Sequence, residues 1–451
     1  MAYLTITPME REVRGQIDVP VSKYHLHRSL IMGWLAEGNT HIDGRSDARH
    51  VEYTLRAIRA MGARVVRRAD GYDVDGGHYH ARNLWVSAGS SGSTLQFLLG
   101  LASQVKNGPV IFGGQHALMR RPIGPLLAAL EKLGIRTAYA DAQHSVMVFP
   151  GRPRGRQIEL SGMLSQWTSG ILLLAPFADG PVSIHLTTPI RERTYIDLTV
   201  RMLRQFGIEV ADDQEANRWT VAGGQSYLPG AIERQPDWSS AAFLLVLAAL
   251  HPSRLTLTGV REPGAEHPEG RILQILRAMG LKWTFDQASG SVQVVHGDER
   301  LEGIDVDLAD IPDLLPILCV IASRARGRTV LRHVQHARLK ESDRVKAMLQ
   351  LRRMGVVIEE HDDNLVIHGQ PVLQGAAVNT YNDHRVLMAY AIAGTVATGT
   401  TQLNYPWAYR ISYPEFLDHL TGLHVPVAMS RGGAAQTARF EGLPSKESVL
   451  L

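Results

Sequence analysis

A repeat of about 73 residues runs through most of the chain and restricts how it can fold. Six segments with helix-like patterns each end in a glycine, and an apolar or β-branched run follows at once. These glycines, 67 to 75 residues apart, are Gly62, Gly134, Gly207, Gly280, Gly355 and Gly422. A glycine just past the last helical turn supplies the left-handed residue that ends many helices. We therefore expect a duplicated unit in which each of these helices is followed directly by a strand.

A second pattern lies between these glycines and consists of a long apolar helix, a turn and a strand. The helices lie in the runs "SLIMGWLAEG", "LQFLLGLAS", "SGILLLAPF", "SAAFLLVLAAL", "LLPILCVIASRA" and "RVLMAYAIAGT". They are apolar on nearly every face and should be interior, whereas the helices that end in the glycines carry a polar face and belong outside. Six strand–helix–strand–helix–strand units are too many to share one hydrophobic core. The sequence therefore predicts an α/β protein of two lobes with three units each, divided near "ERQPDWSS".

The starts of the predicted interior helices are rich in small, polar and charged residues. A helix N-terminus presents N–H groups without intrahelical partners and about half a positive charge, which favours anions. At any one of these starts, ordinary N-capping explains the serines and aspartates better. Six such starts with cations nearby favour an anion site, and those cations are Lys23, Arg28, Arg121, Lys340, Arg344 and Arg385.

The segment "HARLKESDRVKAM", residues 336–348, is crowded with charge. Read as the start of a helix, it places Lys340 and Arg344 four residues apart, where like charges repel each other. The pair is tolerated if an anion binds between them, with Glu341 as a proton carrier and Asp343 as a brace for Arg344. A solvated, charged helix start is the simpler alternative.

The composition excludes several classes of protein. Of 451 residues, 45% are hydrophobic and 20% are charged, which is typical of a soluble globular protein. A net charge of +3 without a dense Lys/Arg stripe favours small anions over nucleic acid. The chain has no run of about 18 apolar residues and no signal-peptide pattern, and its single cysteine, Cys319, cannot form an internal disulfide. We therefore expect a cytoplasmic protein that is not embedded in a membrane, and the spacing of the histidines predicts no metal site.

Five segments together resemble the EPSP synthase family of enolpyruvyl transferases over about residues 5–425. They are "VPVSK" (19–23), "MRRPIGPLL" (119–127), "SQWTSGILLLAP" (165–176), "RLKESDR" (338–344) and "TYNDHR" (380–385). The resemblance implies two similar inside-out α/β barrel domains, each of three β/α repeats with buried parallel helices. One would contain residues 21–235 and the other residues 1–20 plus 236–428, with residues 429–451 as a flexible tail.

The resemblance also implies a reaction without a cofactor. The enolpyruvyl group of phosphoenolpyruvate (PEP) would pass to a hydroxyl group of an acceptor, with release of phosphate, in a cleft between the domains. PEP would be bound by Lys23, Gly92, Arg121 and Gln166 at its phosphate and by Arg344 and Arg385 at its carboxylate. The acceptor would contact Tyr24, Arg28, Ser165, Tyr195, Asp313, His336 and Lys340.

Four residues would do the chemistry, and they are Lys23, Asp313, Glu341 and His384. Asp313 would take the proton of the acceptor hydroxyl. Glu341 with Lys23 would transfer the proton to and from C3 of PEP and assist the departure of the phosphate. His384 would orient its neighbours by hydrogen bonding or act as a general acid.

Several positions depart from the family pattern. Glu192 stands where a phosphate-binding serine is expected, and a dry carboxylate there would repel an acceptor phosphate. Tyr24 adds an aromatic face that could stack on a base or a sugar. Gln96 and Ile411 replace a family arginine and lysine, with Arg410 adjacent as a substitute. We therefore expect an acceptor other than shikimate 3-phosphate, such as UMP, which relatives in nucleoside-antibiotic pathways use.

Other functions stay open at this point. A true EPSP synthase of the shikimate pathway and a non-catalytic anion-binding protein on the same scaffold are alternatives. The UDP-N-acetylglucosamine branch of the family commonly uses a loop cysteine, whereas Cys319 lies in a predicted buried helix. A nucleic-acid-processing protein would need a stripe of aromatic and basic residues, and none is evident in the sequence.

Overall fold

A computed structural model of the chain describes residues 2–142 and 144–431. They form two compact units: the first contains the chain up to Pro20 and from Pro236 onward, and the second contains Val21–Gln235. The predicted flexible tail lies, from residue 432 onward, outside the described residues. In the part of the chain that the structure describes, no helix has the length and apolar character needed to span a bilayer.

The elements follow one another in an alternating order. The first unit begins with β1 (Ala2–Ile6) and β2 (Val13–Asp18). The second unit contains α1 (Lys23–Leu35), β3 (Gly38–Asp43), α2 (Arg49–Ala60), β4 (Arg64–Arg67), β5 (Gly71–Gly76), β6 (Trp85–Ser87), α3 (Gly92–Leu101), β7 (Val110–Gly113), α4 (His116–Met119), α5 (Gly124–Lys132), β8 (Thr137–Tyr139), β9 (Val146–Val148), β10 (Gln157–Leu160), α6 (Ser165–Leu174), β11 (Val182–Leu186), α7 (Arg193–Gln205), β12 (Val210–Asp213), β13 (Arg218–Val221) and β14 (Ala231–Ile232).

The first unit then resumes with its three longest helices and the remaining sheets. Its elements are α8 (Trp238–Leu250), β15 (Ser253–Thr258), α9 (Arg271–Ala278), β16 (Trp283–Asp286), β17 (Ser291–His296), β18 (Asp305–Asp307), α10 (Leu315–Arg324), β19 (Arg328–Arg332), α11 (Arg344–Met348), β20 (Val357–His361), β21 (Asn364–His368), β22 (Leu373–Gln374), β23 (Ala377–Val378), α12 (His384–Thr395), β24 (Ala397–Thr398), β25 (Thr401–Leu403), α13 (Phe416–Gly422) and β26 (Val427–Arg431). Short 3-10 turns occur at Pro312–Leu314, Gln335–Leu339 and Leu349–Met354, among other places.

One sheet pattern recurs six times among the described residues. In the sheet β6-β7-β9-β8, β6 and β7 are parallel because α3 connects them, and β9 runs antiparallel to both β7 and β8. The sheets β10-β11-β13-β12 and β18-β19-β21-β20 have the same order. The predicted repeat is confirmed, with a fourth strand added to the three that the sequence indicated.

Strands from distant parts of the chain complete the repeats at the ends of each unit. In the second unit, β14 pairs in parallel with β3, although nearly the whole unit separates them in sequence. In the first unit, β2 pairs in parallel with β15, and β1 lies between β25 and β26. Each unit is therefore closed by strands that a local reading of the sequence would not join.

The six predicted interior helices are buried, as expected. They are α1, α3 and α6 in the second unit and α8, α10 and α12 in the first. Every residue of α12 is buried, and Cys319 lies fully buried in α10, where burial raises the pKa of its thiol. By contrast, α2, α7 and α9 bury one face and expose the other, which confirms their predicted outer position.

Five of the six helix-ending glycines have the predicted left-handed backbone, with φ between 79° and 126°. Gly422 is the exception, because α13 continues through it and the left-handed residue is His424 at φ 63°. The N–H of His424 bonds to the carbonyl of Thr421, so the turn that ends the helix comes two residues later than predicted.

Candidate active site

The predicted site residues fall into two clusters, one in each unit. The second-unit cluster contains Lys23, Tyr24, Arg28, Gly92, Arg121, Ser165, Gln166 and Tyr195. The first-unit cluster contains Asp313, His336, Lys340, Glu341, Arg344, His384 and Arg385. Most of them lie at or near the starts of helices, where the sequence placed them.

Three of the four predicted phosphate ligands meet at the start of α3. A Cβ atom added to Gly92 would lie 2.9 Å from Arg121 Nη1 and 3.1 Å from Gln166 Oε1. The amide of Gln166 donates to Ser93 Oγ at 3.1 Å, which fixes it against the first turn of α3. A guanidinium, an amide and a helix N-terminus therefore surround a backbone without a side chain, which suits an anion that approaches closely.

A buried chain of hydrogen bonds holds the start of α3 in place. His27 Nδ1 lies 2.7 Å from Thr54 Oγ1, which lies 2.7 Å from Thr94 Oγ1. Thr94 donates to Ser91 Oγ at 2.7 Å, and Ser91 also caps the backbone N–H of Thr94. Burial lowers the pKa of His27 well below its usual value, so this histidine is neutral at physiological pH. The chain ties α1, α2 and α3 together, and no motif in the sequence indicated it.

N-capping also accounts for part of the polar composition at these helix starts. The side chains of Asp237 and Asp383 accept backbone N–H groups at the starts of α8 and α12, as Ser91 does at α3. The ordinary capping explanation therefore holds at these starts. The case for an anion site at Gly92 depends on the Arg121 guanidinium and the Gln166 amide that meet there, rather than on a helix end alone.

Aromatic rings and one arginine organise the predicted acceptor side of the second-unit cluster. Lys23, the first residue of α1, places Nζ 5.2 Å from the centre of the Tyr24 ring, which lies 5.2 Å from the Tyr195 ring. Arg28 donates to the carbonyls of Tyr24 and Tyr195 at 3.0 Å and to Thr199 Oγ1 at 2.8 Å. Arg28 therefore holds α1 against α7, and its predicted contact with the acceptor stays a prediction.

Glu192, which departs from the family pattern expected from the sequence, is buried and hydrogen-bonded. Its side chain is buried, its backbone is left-handed at φ 60°, and it precedes the first residue of α7. Ser165 Oγ donates to Glu192 Oε2 at 2.7 Å. The hydroxyl that is expected to contact the acceptor is thus bonded to the carboxylate at the position where the sequence resemblance implies a serine.

In the first-unit cluster, Arg344 is fully buried among three carboxylates. Its Nη1 lies 2.6 Å from Asp313, its Nη2 2.7 Å from Glu341 and its Nε 2.9 Å from Asp383. Burial alone would lower the pKa of Arg344, but the charges of Asp383, Asp313 and Glu341 raise it well above the usual value. The guanidinium is a permanent cation in a site that excludes water.

Arg385 shares one of these carboxylates. Its Nη2 lies 3.2 Å from the second oxygen of Asp313 and donates to Ser239 Oγ at 3.0 Å. The carboxylate of Asp313 therefore bridges Arg344 and Arg385, the two residues predicted to bind the carboxylate of PEP. Both arginine side chains are 1% exposed, so solvent has little access to either guanidinium group.

The sequence interpretation missed Asp383 and chose Asp343 in its place. Asp383 accepts from Arg344 Nε, from Ser342 Oγ at 2.9 Å and from the backbone N–H of Arg385. The prediction that Asp343 braces Arg344 is wrong, because one oxygen of Asp343 accepts the N–H of Lys346 and the other pairs with Arg338. The signal that could have found Asp383 is its place directly before the helix start in "TYNDHR".

The predicted crowding of Lys340 and Arg344 on one helix is also wrong. The helix α11 begins at Arg344, and Lys340 follows the 3-10 turn Gln335–Leu339, so the two are not on adjacent helical turns. His336 is buried within that turn. His384 is fully buried as the first residue of α12, and its Nδ1 lies 3.9 Å from Asp383.

Two further departures lie near these clusters. Gln96 is buried in α3, and its side-chain oxygen has no hydrogen-bond partner among the described residues. Ile411 is buried, whereas the adjacent Arg410 donates to the Tyr409 hydroxyl at 3.2 Å. The replacement of the family lysine by Arg410 therefore stays a prediction.

One group of side chains has the composition of a metal site. Glu341, Asp383 and His384 place potential ligand atoms within 4.8 Å of one another, and no other such group occurs in the residues that the structure describes. Arg344 pairs with both carboxylates, and a metal ion would have to displace or repel this buried cation. We assign no metal to these residues.

Comparisons with known proteins identify the family of this chain. The sequence profile of the family described as EPSP synthase (3-phosphoshikimate 1-carboxyvinyltransferase) matches residues 8–420. A 3-phosphoshikimate 1-carboxyvinyltransferase of Methanocaldococcus jannaschii is 34% identical over 429 residues, which cover 93% of this chain and 98% of the relative. Another, of Methanococcus maripaludis strain C7, is 32% identical over 418 residues, or 91% and 96% of the two chains.

A solved structure supports the same conclusion for the fold. An EPSP synthase from Acinetobacter baumannii superposes with a TM-score of 0.79 at 26% sequence identity, covering 96% of this chain and 100% of that one. The predicted α/β fold of two repeat-built domains is confirmed. Because the sequence match extends over almost the whole chain, this protein belongs to the EPSP synthase family of carboxyvinyltransferases.

Proposed function

We propose that the protein transfers the enolpyruvyl group of PEP to a hydroxyl group of shikimate 3-phosphate and releases phosphate. The observation that carries the proposal is the pair of buried arginines, Arg344 and Arg385, that share one carboxylate in the first unit. Planar guanidinium groups bind carboxylates with two hydrogen bonds and no loss of charge, which suits the carboxylate of PEP. The activity that the relatives' names state supports the same acceptor.

The reaction is an addition followed by an elimination. Asp313 takes the proton of the acceptor hydroxyl as its oxygen attacks C2 of PEP, and C3 gains a proton from Glu341 or Lys23. The tetrahedral intermediate then loses a proton from C3 and breaks its bond from C2 to the phosphate oxygen. Arg121 and Gln166 beside Gly92 hold the phosphate, whose charge rises as it leaves.

A different acceptor is the second candidate, and one observation favours it. Glu192 is buried and bonded to Ser165, and it stands at the position for which the sequence resemblance implies a phosphate-binding serine. A phosphate within about 4 Å of that carboxylate would be repelled by several kcal/mol in a partly dry site. Nothing in the comparisons supports a nucleotide such as UMP. A non-catalytic role is disfavoured because Lys23, Asp313 and Glu341 are all retained.

Mass spectrometry of reactions with PEP and a panel of alcohols tests the proposal. The panel contains shikimate 3-phosphate, shikimate and UMP, and phosphate release is measured in parallel. We expect a product heavier than shikimate 3-phosphate by one enolpyruvyl group, together with equimolar phosphate. Turnover of another alcohol alone would favour the second candidate, and PEP binding without any product would favour the non-catalytic role.

A further inference from the structure

Arg344 and Arg385 already bind a carboxylate, and it belongs to Asp313. We propose that Asp313 occupies the position that the carboxylate of PEP takes, so that PEP binds by exchange and releases Asp313 to act as the base. This inference rests on the proposed function, because it takes PEP as the ligand of the arginine pair. It assigns Asp313 a second role, as the group that makes the site selective for ligands with a carboxylate.

The guanidinium group of Arg344 already bonds to three carboxylates, and this limits how a further carboxylate can bind to it. A guanidinium binds a carboxylate with two parallel bonds, either through Nη1 and Nη2 or through Nε and one Nη. Asp313 is at Nη1, Glu341 is at Nη2, and Asp383 is at Nε, so each edge includes a nitrogen that a carboxylate already contacts. Two-bond capture of a new carboxylate therefore requires one of the three to move.

Burial and bonding indicate which carboxylate moves. The side chain of Asp383 is completely buried and is fixed by the cap of α12 and by Ser342. The side chain of Asp313 is 10% exposed, lies in the short Pro312–Leu314 turn and contacts both arginines. Its departure gives up a contact with each arginine, at Nη1 of Arg344 and at Nη2 of Arg385, whereas Glu341 bonds to Nη2 of Arg344.

Charge favours exchange over simple addition. Three carboxylates already face Arg344, and a fourth brought within about 4 Å in a poorly hydrated site would be repelled by several kcal/mol. When one carboxylate replaces another, the local charge stays unchanged. A phosphate monoester bound at Gly92 and Arg121 has no second anionic group to make this replacement, and it would leave Asp313 between the arginines.

The exchange also connects binding to chemistry. A carboxylate held between two guanidinium groups is a weak base because both cations stabilise its charged form. Asp313 becomes a stronger base when PEP takes over its partners, and at that moment an acceptor hydroxyl can give up its proton. Proton transfer is thereby restricted to the state in which the carboxylate of PEP is in place.

Titrations of the Asp313→Asn variant with two ligands test the exchange. We expect its affinity for PEP to rise about tenfold, because the variant no longer holds a competing carboxylate. Its affinity for methyl phosphate, which lacks the carboxylate, should change less than about twofold. Asp343→Asn is the matched control, since Asp343 directly precedes Arg344 in the chain but pairs with Arg338, and both affinities should stay unchanged.

Calorimetry in two buffers of different ionisation enthalpy gives an independent readout at about pH 4.5, close to the usual pKa of an aspartate. The unmodified protein should take up more protons on binding PEP than Asp313→Asn does, because the released carboxylate becomes more basic. If Asp313→Asn does not fold, the same comparisons use Asp313→Ser.

Two outcomes would overturn the exchange. An equal rise in the affinities of Asp313→Asn for PEP and for methyl phosphate would mean that the variant binds all anions better because it has lost a negative charge. Unchanged affinity for PEP would mean that Asp313 does not compete with the carboxylate of PEP. Failure of the unmodified protein to bind PEP would instead overturn the proposed function. The three results are distinguishable in one set of titrations.

Discussion

The substitution Gly92→Ala tests the predicted phosphate site because it adds a single carbon atom, Cβ, beside Arg121 and Gln166. The new Cβ would lie 2.9 Å from Arg121 Nη1, about 0.5 Å closer than an ordinary contact between such atoms. The backbone at position 92 is helical rather than left-handed, so the alanine itself causes no backbone strain. The arginine must therefore move by about 0.5 Å, and Gln166, 3.1 Å away, must give a little as well.

The size of the effect follows from the bonds that this movement weakens. A hydrogen bond to a charged group contributes about 1.5–3 kcal/mol, and a shift of this size should cost about 1 kcal/mol of it. That loss corresponds to an increase of about fivefold to tenfold in the KM for PEP, with a much smaller change in kcat and in the KM for the acceptor. Steady-state kinetics with both substrates varied measures each constant.

A matched control separates this clash from the general effect of replacing a glycine. Gly124 is also the first residue of a helix, α5, and a Cβ there would meet no atom within 4 Å. Gly124→Ala should leave all kinetic constants unchanged. An unchanged KM for PEP in Gly92→Ala, or an equal rise in both variants, would refute the assignment of Arg121 and Gln166 to the phosphate.

Two further predictions concern buried ionisable groups. Replacement of Glu192 by serine removes the carboxylate that is bonded to Ser165. If Glu192 repels the phosphate of shikimate 3-phosphate, the kcat/KM for this acceptor should rise about tenfold in a steady-state kinetic assay. No rise in the same assay would mean that the acceptor phosphate binds elsewhere. Burial lowers the pKa of His251 from its usual 6.5 to about 4, and its Nε2 bonds to Thr395 Oγ1 at 2.8 Å. Because the unfolded chain binds the proton more readily, the free energy of unfolding should fall by about 2 kcal/mol between pH 7.5 and pH 5, and urea titrations of His251→Asn should lose this part of the dependence.

Much of the fold could be predicted because its signals are local. The apolar character of a helix such as α8 or α12 is visible in its own residues, and a glycine after a helix has a short-range reason to be there. Gly422 shows the limit of this reasoning, since the pattern was present but His424 took the left-handed position. The strand partners of β1 and β14 could not be predicted, because they lie in distant parts of the sequence.

Most residues of the candidate site could be predicted from the sequence, but which of them bond to each other could not. The residues around Arg344 were found from the motifs, yet its brace was assigned to Asp343, one residue away, instead of Asp383. Proximity in sequence favours the nearer carboxylate, but Asp343 pairs with Arg338, and the partner of Arg344 comes from the start of another helix, α12. The bond between Ser165 and Glu192 was missed for a related reason, because it joins the starts of two different helices.

The most direct test of the central claim is the affinity of Arg385→Lys for PEP, measured by calorimetry beside Arg338→Lys. Arg385 bridges to Asp313 in the buried cluster, whereas Arg338 pairs with Asp343 outside it. A lysine keeps the charge but loses the planar pair of donors, so we expect PEP to bind at least about tenfold more weakly to Arg385→Lys and equally well to Arg338→Lys. Unchanged affinity in Arg385→Lys would contradict the assignment of this arginine pair to the carboxylate of PEP.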